Sequence, residues 1–147
     1  MAGVRRWKRP ESVLVLVYNR AGEVLLLERT RPRGFWQSVT GSLEWDETPR
    51  QAALRELREE TGLCVGHALT DLGHQERFPI VPPWRARYAP EHRFNREHWF
   101  GLQLPGRRSI RLNPAEHRQA RWLPAWRAAR MATSWTNRKA IRRYVSS

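Results

Sequence analysis

Residues 41–63 read GSLEWDETPRQAALRELREETGL, and the rest of the chain is best read outward from them. Thr48 is placed to cap a helix, Pro49 suits the first helical position, and Gln51 completes a capping box with Thr48. Gly62 can close the far end in a left-handed conformation, so the spacing predicts a helix over residues 48–61. On a wheel of about 100° per residue, Glu56, Glu59 and Glu60 fall on one face, beside the stripe of Ala53, Leu54, Leu57 and Thr61. Like charges at i, i+3 and i+4 repel one another and weaken an isolated helix. They make sense around a hard divalent cation, because Mg²⁺ prefers carboxylate oxygen and keeps waters that substrate phosphates can replace. Taken alone, E-x-x-E-E also suits a solvated acidic face with pairs such as Arg55 and Glu59.

Upstream, residues 12–18 (SVLVLVY) and 23–28 (EVLLLE) are β-rich apolar runs separated by Asn19-Arg20-Ala21-Gly22, which predicts a hairpin of buried strands. Residues 30–34 (TRPRG) form a loop, and residues 35–40 (FWQSVT) a short strand entering Gly41. Downstream, a strand is expected over 65–72. A loop or irregular edge follows over 78–90, where Pro79, Pro82, Pro83 and Pro90 fall. Strands over 98–104 and 120–123 and helices over 125–131 and 137–145 complete the pattern. Strands with helices between and after them argue an α/β fold, an α/β/α layered sandwich on a mixed sheet. The whole of 1–147 is expected to form one domain.

Composition narrows the class. With 40% apolar residues and eight Trp, the chain is too rich in core-forming side chains for a disordered one. Its mean hydropathy of −0.73 and the absence of any long apolar run exclude a spanning helix, so no membrane partner is expected. The basic N-terminus followed by the short run 12–18 is too short and wrongly flanked for a signal peptide. A single Cys64 cannot form an internal disulfide or a zinc cluster, and a reducing cytoplasm is the natural compartment. Twenty-seven Lys and Arg against 14 Asp and Glu leave a net charge of +13, yet residues 41–63 hold six of the acids. A basic molecule with one acidic cluster suits a polyanion carried on a metal ion: a nucleotide, another phosphorylated metabolite, or nucleic acid. An Arg-rich composition explains part of that excess without any partner.

The spacing Gly41-x5-Glu47-x7-Arg55-Glu56-Leu57-x-Glu59-Glu60-x-Gly62-Leu63 resembles the Nudix box, with every defined position filled. The resemblance implies the Nudix α/β/α sandwich and Mg²⁺-dependent hydrolysis of a nucleoside diphosphate linked to a further group, with Mn²⁺ as the alternative ion. Gly41 permits the tight entry into the loop, Glu47 can reach back to Arg55, and Glu56, Glu59 and Glu60 would hold metal.

Outside the box, Lys8-Arg9-Pro10, Trp36-Gln37-Ser38-Val39-Thr40-Gly41-Ser42, Arg87-Tyr88-Ala89-Pro90, Glu97-His98-Trp99-Phe100, Leu104-Pro105 and Ser134-Trp135-Thr136-Asn137-Arg138 resemble the bacterial dihydroneopterin triphosphate diphosphatases. That likeness covers roughly residues 8–145. It implies removal of pyrophosphate from a small-molecule triphosphate, 7,8-dihydroneopterin 3′-triphosphate, in folate biosynthesis. By position it implies substrate contacts at Lys8, Arg29, Thr40, Phe78, Pro79, Ile80, Val81 and Ser134, and metal ligands at Glu56, Glu60 and Glu116. Glu59 or Glu116 would accept the proton of the attacking water.

Each transfer has a plainer competitor. Lys8 could be a solvated cation, Arg29 a partner of Glu28 or Glu23, Thr40 a strand hydroxyl, Ser134 a helix cap, and Glu116 a partner of Arg118 or Arg111. The rival activities are hydrolysis of (d)NTPs, of dinucleoside polyphosphates or of RNA 5′-triphosphate ends. A rival of another class is a non-catalytic nucleic-acid-binding module, which the complete box disfavours. The five His and Cys64 show no metal spacing, and the oligomeric state is not legible in the sequence.

Overall fold

In the computed structural model, which describes residues 7–145, the apolar runs become β1 (Glu11–Asn19) and β2 (Glu23–Arg29), both buried on two faces. Gly22, at φ 80°, closes the turn between them. The expected hairpin is a hairpin only at its tip: Tyr18 pairs Val24, and beyond that the strands part. The segment predicted as one short strand fills the wedge in two pieces. β3 (Trp36–Gln37) pairs β2 and β4 (Val39–Ser42) pairs β1. Ser38, fully buried at the crossover, is gripped at both its backbone and its hydroxyl by one residue. Its backbone N–H donates to Asn137 Oδ1 (2.7 Å), and the Asn137 amide donates to Ser38 Oγ (2.9 Å).

The helix α1 (Pro49–Thr61) has the predicted ends. Thr48 Oγ1 accepts from the Gln51 backbone, Gln51 Oε1 accepts from the Thr48 N–H, and Gly62 is left-handed at φ 79°. After a short 3₁₀ turn at Gly66–Ala68, β5 (Leu69–Pro79) and β6 (Phe94–Leu104) pair antiparallel. Both correct the sequence reading. β5 starts later than the sequence predicts and runs through Phe78 and Pro79, where a loop is expected; β6 starts at Phe94. As an edge strand, β5 buries one face only partly, so LTDLGHQERFP lacks a strong apolar alternation, and its proline falls at the strand end, where a missing N–H costs little. β7 (His117–Pro124), α2 (Ala125–Met131) and α3 (Trp135–Tyr144) complete the chain.

The sheet runs β3-β2-β1-β6-β5, with β4 against β1 and β7 against β2. Parallel β1 and β6 form its centre, in register from Glu11 opposite Arg96 to Asn19 opposite Leu104. Successive side chains of a strand point to opposite faces. Val13, Val15 and Val17 accordingly pack with Ala52, Ala53 and Leu57 of α1, while Leu14 and Leu16 pack with Ala128 and Ala129 of α2 and Ala140 and Ile141 of α3. The expected α/β/α sandwich is therefore the observed one, with α1 on one face and α2 and α3 on the other. No helix of the described residues is long and apolar enough to cross a membrane.

Candidate metal and phosphate site

Arg55 organises the approach to the acidic helix. Its guanidinium donates twice to Glu47, Nε to Oε2 (2.7 Å) and Nη2 to Oε1 (2.8 Å), and once to the Ser42 carbonyl (3.0 Å). Glu47 Oε1 also accepts from the Glu44 backbone at 2.9 Å. Glu47 thus locks the 42–47 loop onto α1, as its position in the box implied. The Arg55 hydrogen bonds, first among the causes, hold the Glu47 carboxyl below its ordinary range. From the same guanidinium, Nη1 reaches Glu56 Oε1 at 2.6 Å and Glu59 Oε2 at 3.4 Å.

The fold separates the three clustered glutamates. Glu56 and Glu60 turn inward, their side chains 12% and 2% exposed, while Glu59 stays at the rim at 48%. Burial pushes the Glu56 carboxyl up to about 7 and Glu60 well above its usual value; the two share a hydrogen bond, and Glu60 also feels the charge of Glu56. A backbone hydrogen bond from Thr40 opposes the rise at Glu60. Glu60 Oε1 is nevertheless buried without a hydrogen-bond partner; His117 Nε2 stands 3.7 Å from it. Gly41 of β4 makes room for this arrangement. A Cβ there would lie 1.7 Å from Glu56 Oε2, so any side chain at position 41 would expel the carboxylate.

Glu116 is exposed in the turn before β7, where its carbonyl accepts from the Thr30 N–H (2.8 Å) and the Asn113 side chain accepts from Ala115 N. Its charge is felt by both Glu60 and Lys8. The competing partner Arg118 goes instead to Glu28 at 2.9 Å. As they stand, no three His, Cys, Asp or Glu side chains among the described residues converge on one point that would hold an ion. The chemistry of the donor set nonetheless fits a hard divalent cation: all the donors are oxygens, two are buried carboxyls in contact, and one buried oxygen lacks a partner.

The cationic side of the site is built by two residues. Lys8 is half-buried, and its amine is lowered by burial first and then by Arg87 and Arg29, against the opposing pull of Glu56 and Glu116. Arg29 ends β2 opposite His117 and pairs with neither Glu28 nor Glu23, which are held by Gly34, Arg118 and Gln119 and by Asn19 and Arg107. Its Nε donates to the Arg31 carbonyl at 2.9 Å.

The remaining sequence candidates lie further out. Thr40 Oγ1 donates to the Val13 carbonyl (2.8 Å), the strand-hydroxyl role, while its backbone serves Glu60. Ser134 Oγ caps α3 by accepting from Asn137 N at 3.2 Å. Phe78 and Pro79 end β5, Ile80 bonds to the Arg93 carbonyl, and Val81 is exposed; a shallow pocket of about 460 Å³ lies against Pro79, Ile80, Arg85, Arg93 and Phe94. The Val81 carbonyl accepts from Trp84 N (3.0 Å), and the turn that follows meets the N-terminal segment where the Arg87 carbonyl accepts from Lys8 N (2.9 Å).

His117 escaped the sequence reading. It is buried, with Gln37 Nε2 3.2 Å from its Nε2 and with Nδ1 lacking a partner. Burial, and then the Arg29 charge, pulls the imidazole down to about 4, so it stands neutral behind Glu60 at pH 7. The one signal for it was its place directly after Glu116, since no His–His or His–Cys spacing accompanies it.

Residues 8–144 match the model of the NUDIX domain. The chain is 44% identical to dihydroneopterin triphosphate diphosphatase of Escherichia coli K12 over 143 residues, 95% of this chain and 94% of that one. It is 38% identical to the protein of that name from Haemophilus influenzae over 144 residues, 95% and 90% of the two chains. The structure of the E. coli dihydroneopterin triphosphate pyrophosphohydrolase superposes with a TM-score of 0.88 at 43% identity, covering 95% of this chain and 97% of that one.

Proposed function

This chain belongs to the Nudix family and is a Nudix hydrolase, and we propose that it removes pyrophosphate from 7,8-dihydroneopterin 3′-triphosphate, leaving the monophosphate, as a step of folate biosynthesis. Two relatives carrying that activity in their names, matched over nearly the full length of both chains, support the substrate. The observation that carries the chemistry is the buried, unpartnered Glu60 oxygen against Glu56, with Lys8 and Arg29 beside them. A site of this kind has a deficit of positive charge at its floor and a surplus at its edge, which suits a metal-borne triphosphate.

Nudix hydrolases are divalent-metal dependent, and Mg²⁺ is the ion proposed here, with Mn²⁺ able to replace it. Glu56, Glu60 and Glu116 would hold it, with Glu59 at the rim as a further ligand. When bound, such an ion neutralises phosphate charge and lowers the pKa of a water. The protein's own groups then have separate tasks. Lys8 and Arg29 bind phosphate oxygens, where a guanidinium fork fits better than a point charge alone. Arg55 holds Glu56 and Glu59 in place, and the Thr40 N–H orients Glu60. Glu59 or Glu116, both exposed to solvent, would take the proton released on attack. Phe78, Pro79, Ile80 and Val81 would contact the substrate at its far end, and Ser134 would act on it from the α3 cap. We place the protein in the cytoplasm, as one domain over 1–147, with a small-molecule substrate favoured over a nucleic-acid partner.

The test is a panel of dihydroneopterin triphosphate, dATP, 8-oxo-dGTP and 5′-triphosphate RNA assayed for released pyrophosphate with Mg²⁺ and with EDTA. The expected result is the highest kcat/KM on dihydroneopterin triphosphate and none without metal. A higher kcat/KM on any other substrate overturns the assignment.

A further inference from the structure

Of the tryptophans, Trp36 and Trp99 are consumed by the core facing α2 and α3, and the Trp45 indole donates to the Trp7 carbonyl. Trp126 and Trp135 lie on the helices of that same face, away from α1. Trp84 is different. It belongs to neither core cluster, it is half-buried, and its ring meets that of Phe35, also half-buried and outside both clusters. The centroids are 5.7 Å apart and the planes stand at 65°, so the two half-buried rings meet edge to face and form a corner.

Both walls are held by the backbone of the cationic rim. The Phe35 carbonyl accepts from Arg29 N (2.9 Å), and its neighbours are pinned, Gly34 N to Glu28 Oε2 (2.8 Å) and Trp36 N to Thr133 Oγ1 (2.9 Å). The Arg29 guanidinium carbon lies 6.0 Å from the Phe35 centroid. On the other wall, Trp84 opens a 3₁₀ turn, Trp84–Arg87, whose last carbonyl accepts from Lys8 N at 2.9 Å. The two aromatic rings are thus tied to the same two residues that flank the carboxylates.

Resting on the function proposed above, we infer that Phe35 and Trp84 form the recognition corner for the flat, fused nitrogen heterocycle of the substrate. Lys8 and Arg29 hold the phosphate tail beside it. The bicyclic ring stacks on the indole face and meets the Phe35 wall at its edge, and the polyphosphate runs from there to Glu56 and Glu60. Such a corner binds the ring by shape and π-face rather than by charge. It therefore sets which triphosphates are accepted without touching the phosphorus that reacts.

Calorimetric titration of the metal-free protein separates the two halves of the ligand: 7,8-dihydroneopterin, which carries no phosphate, and inorganic tripolyphosphate, which carries no ring. Trp84→Ala is expected to weaken dihydroneopterin binding about tenfold, the scale of losing one stacked ring. Trp84→Phe should restore it to within about twofold, and tripolyphosphate binding should move by less than about twofold. Should Trp84→Ala fail to fold by circular dichroism, Phe35→Leu tests the corner from its other wall. Absence of dihydroneopterin binding in the unaltered protein, unchanged binding in the variants, or equal loss for both ligands overturns the corner. If dihydroneopterin binds through Trp84 but its triphosphate releases no pyrophosphate, the substrate assignment fails and the corner stands.

Discussion

Glu47 accepts two hydrogen bonds from Arg55 and one from the Glu44 backbone, whereas Glu60, on the buried side of α1, keeps one oxygen with no partner. The first carboxyl is held below its usual range and the second well above it. Both belong to one sequence motif, and both are removed from bulk water to some degree. The difference is that a guanidinium arrives with Glu47 and no protein cation arrives with Glu60. A buried carboxylate left unpaired is costly. On the function proposed above, Glu60 is where the missing positive charge would come from outside the chain, and its satisfied neighbour is the scaffold that would keep that place rigid.

The contrast breaks hardest at Glu60. Glu60→Gln should lower Mg²⁺-dependent turnover by about 10²–10³-fold, the cost of removing one centre of charge stabilisation, with the circular dichroism spectrum unchanged. Full turnover in this variant would remove Glu60 from the metal set. A smaller loss, about 10- to 100-fold, is expected of Gly41→Ala, because the added Cβ displaces the Glu56 carboxylate by steric contact while the Glu47–Arg55 lock stays intact. Its melting temperature should stay close to that of the unaltered protein; a large fall would mean that the clash is relieved by the strand rather than by the side chain.

The converse variant is Glu47→Gln, which should cost roughly 2 kcal/mol of stability, since it leaves part of a half-buried guanidinium unpaired. Urea unfolding measures this directly, and a change under about 0.5 kcal/mol would reduce the lock to an ordinary surface pair.

The smallest effect is the opposite pH dependence of the two sites. Glu47 has a lowered pKa, so the native state binds fewer protons there than the unfolded chain, and its contribution is present above the ordinary carboxylate range and lost as pH falls. The stability deficit of Glu47→Gln should then shrink below about pH 4. Glu56, raised to about 7, works in the other direction: the metal-free native state binds the extra proton, so stability falls as pH rises through that value. In EDTA, Glu56→Gln should melt above the unaltered protein at pH 8 by a few degrees, and the gain should vanish near pH 5. Parallel pH curves for the two variants would erase the distinction between the sites.

Much of this was legible from one dimension because it depends on local spacing. Thr48, Pro49, Gln51 and Gly62 specify the ends of α1 through bonds spanning a few residues, and those ends are where the structure has them. The alternation that sends Val13 and Val15 to one layer and Leu14 and Leu16 to the other is equally local. The reach of Glu47 to Arg55 followed from the box. Less legible were the parts whose cause is distant in sequence. β5 carries too little apolar alternation to declare its length, because its outer face meets water. The parting of β1 from β2 is stabilised by Asn137, 99 residues beyond the Ser38 that it grips.

The sequence by itself determined the helix, its three glutamates and the layered fold, since propensity, capping and hydrophobic period act over a turn or a strand. Only the tertiary structure decided which of those glutamates would be dry. Burial is a property of what packs against a side chain: Gly41 and Thr40 from β4 and His117 from β7 close over Glu56 and Glu60, while nothing covers Glu59 to the same degree. The same holds for Phe35 and Trp84, distant along the chain and brought edge to face by the sheet that separates them in sequence.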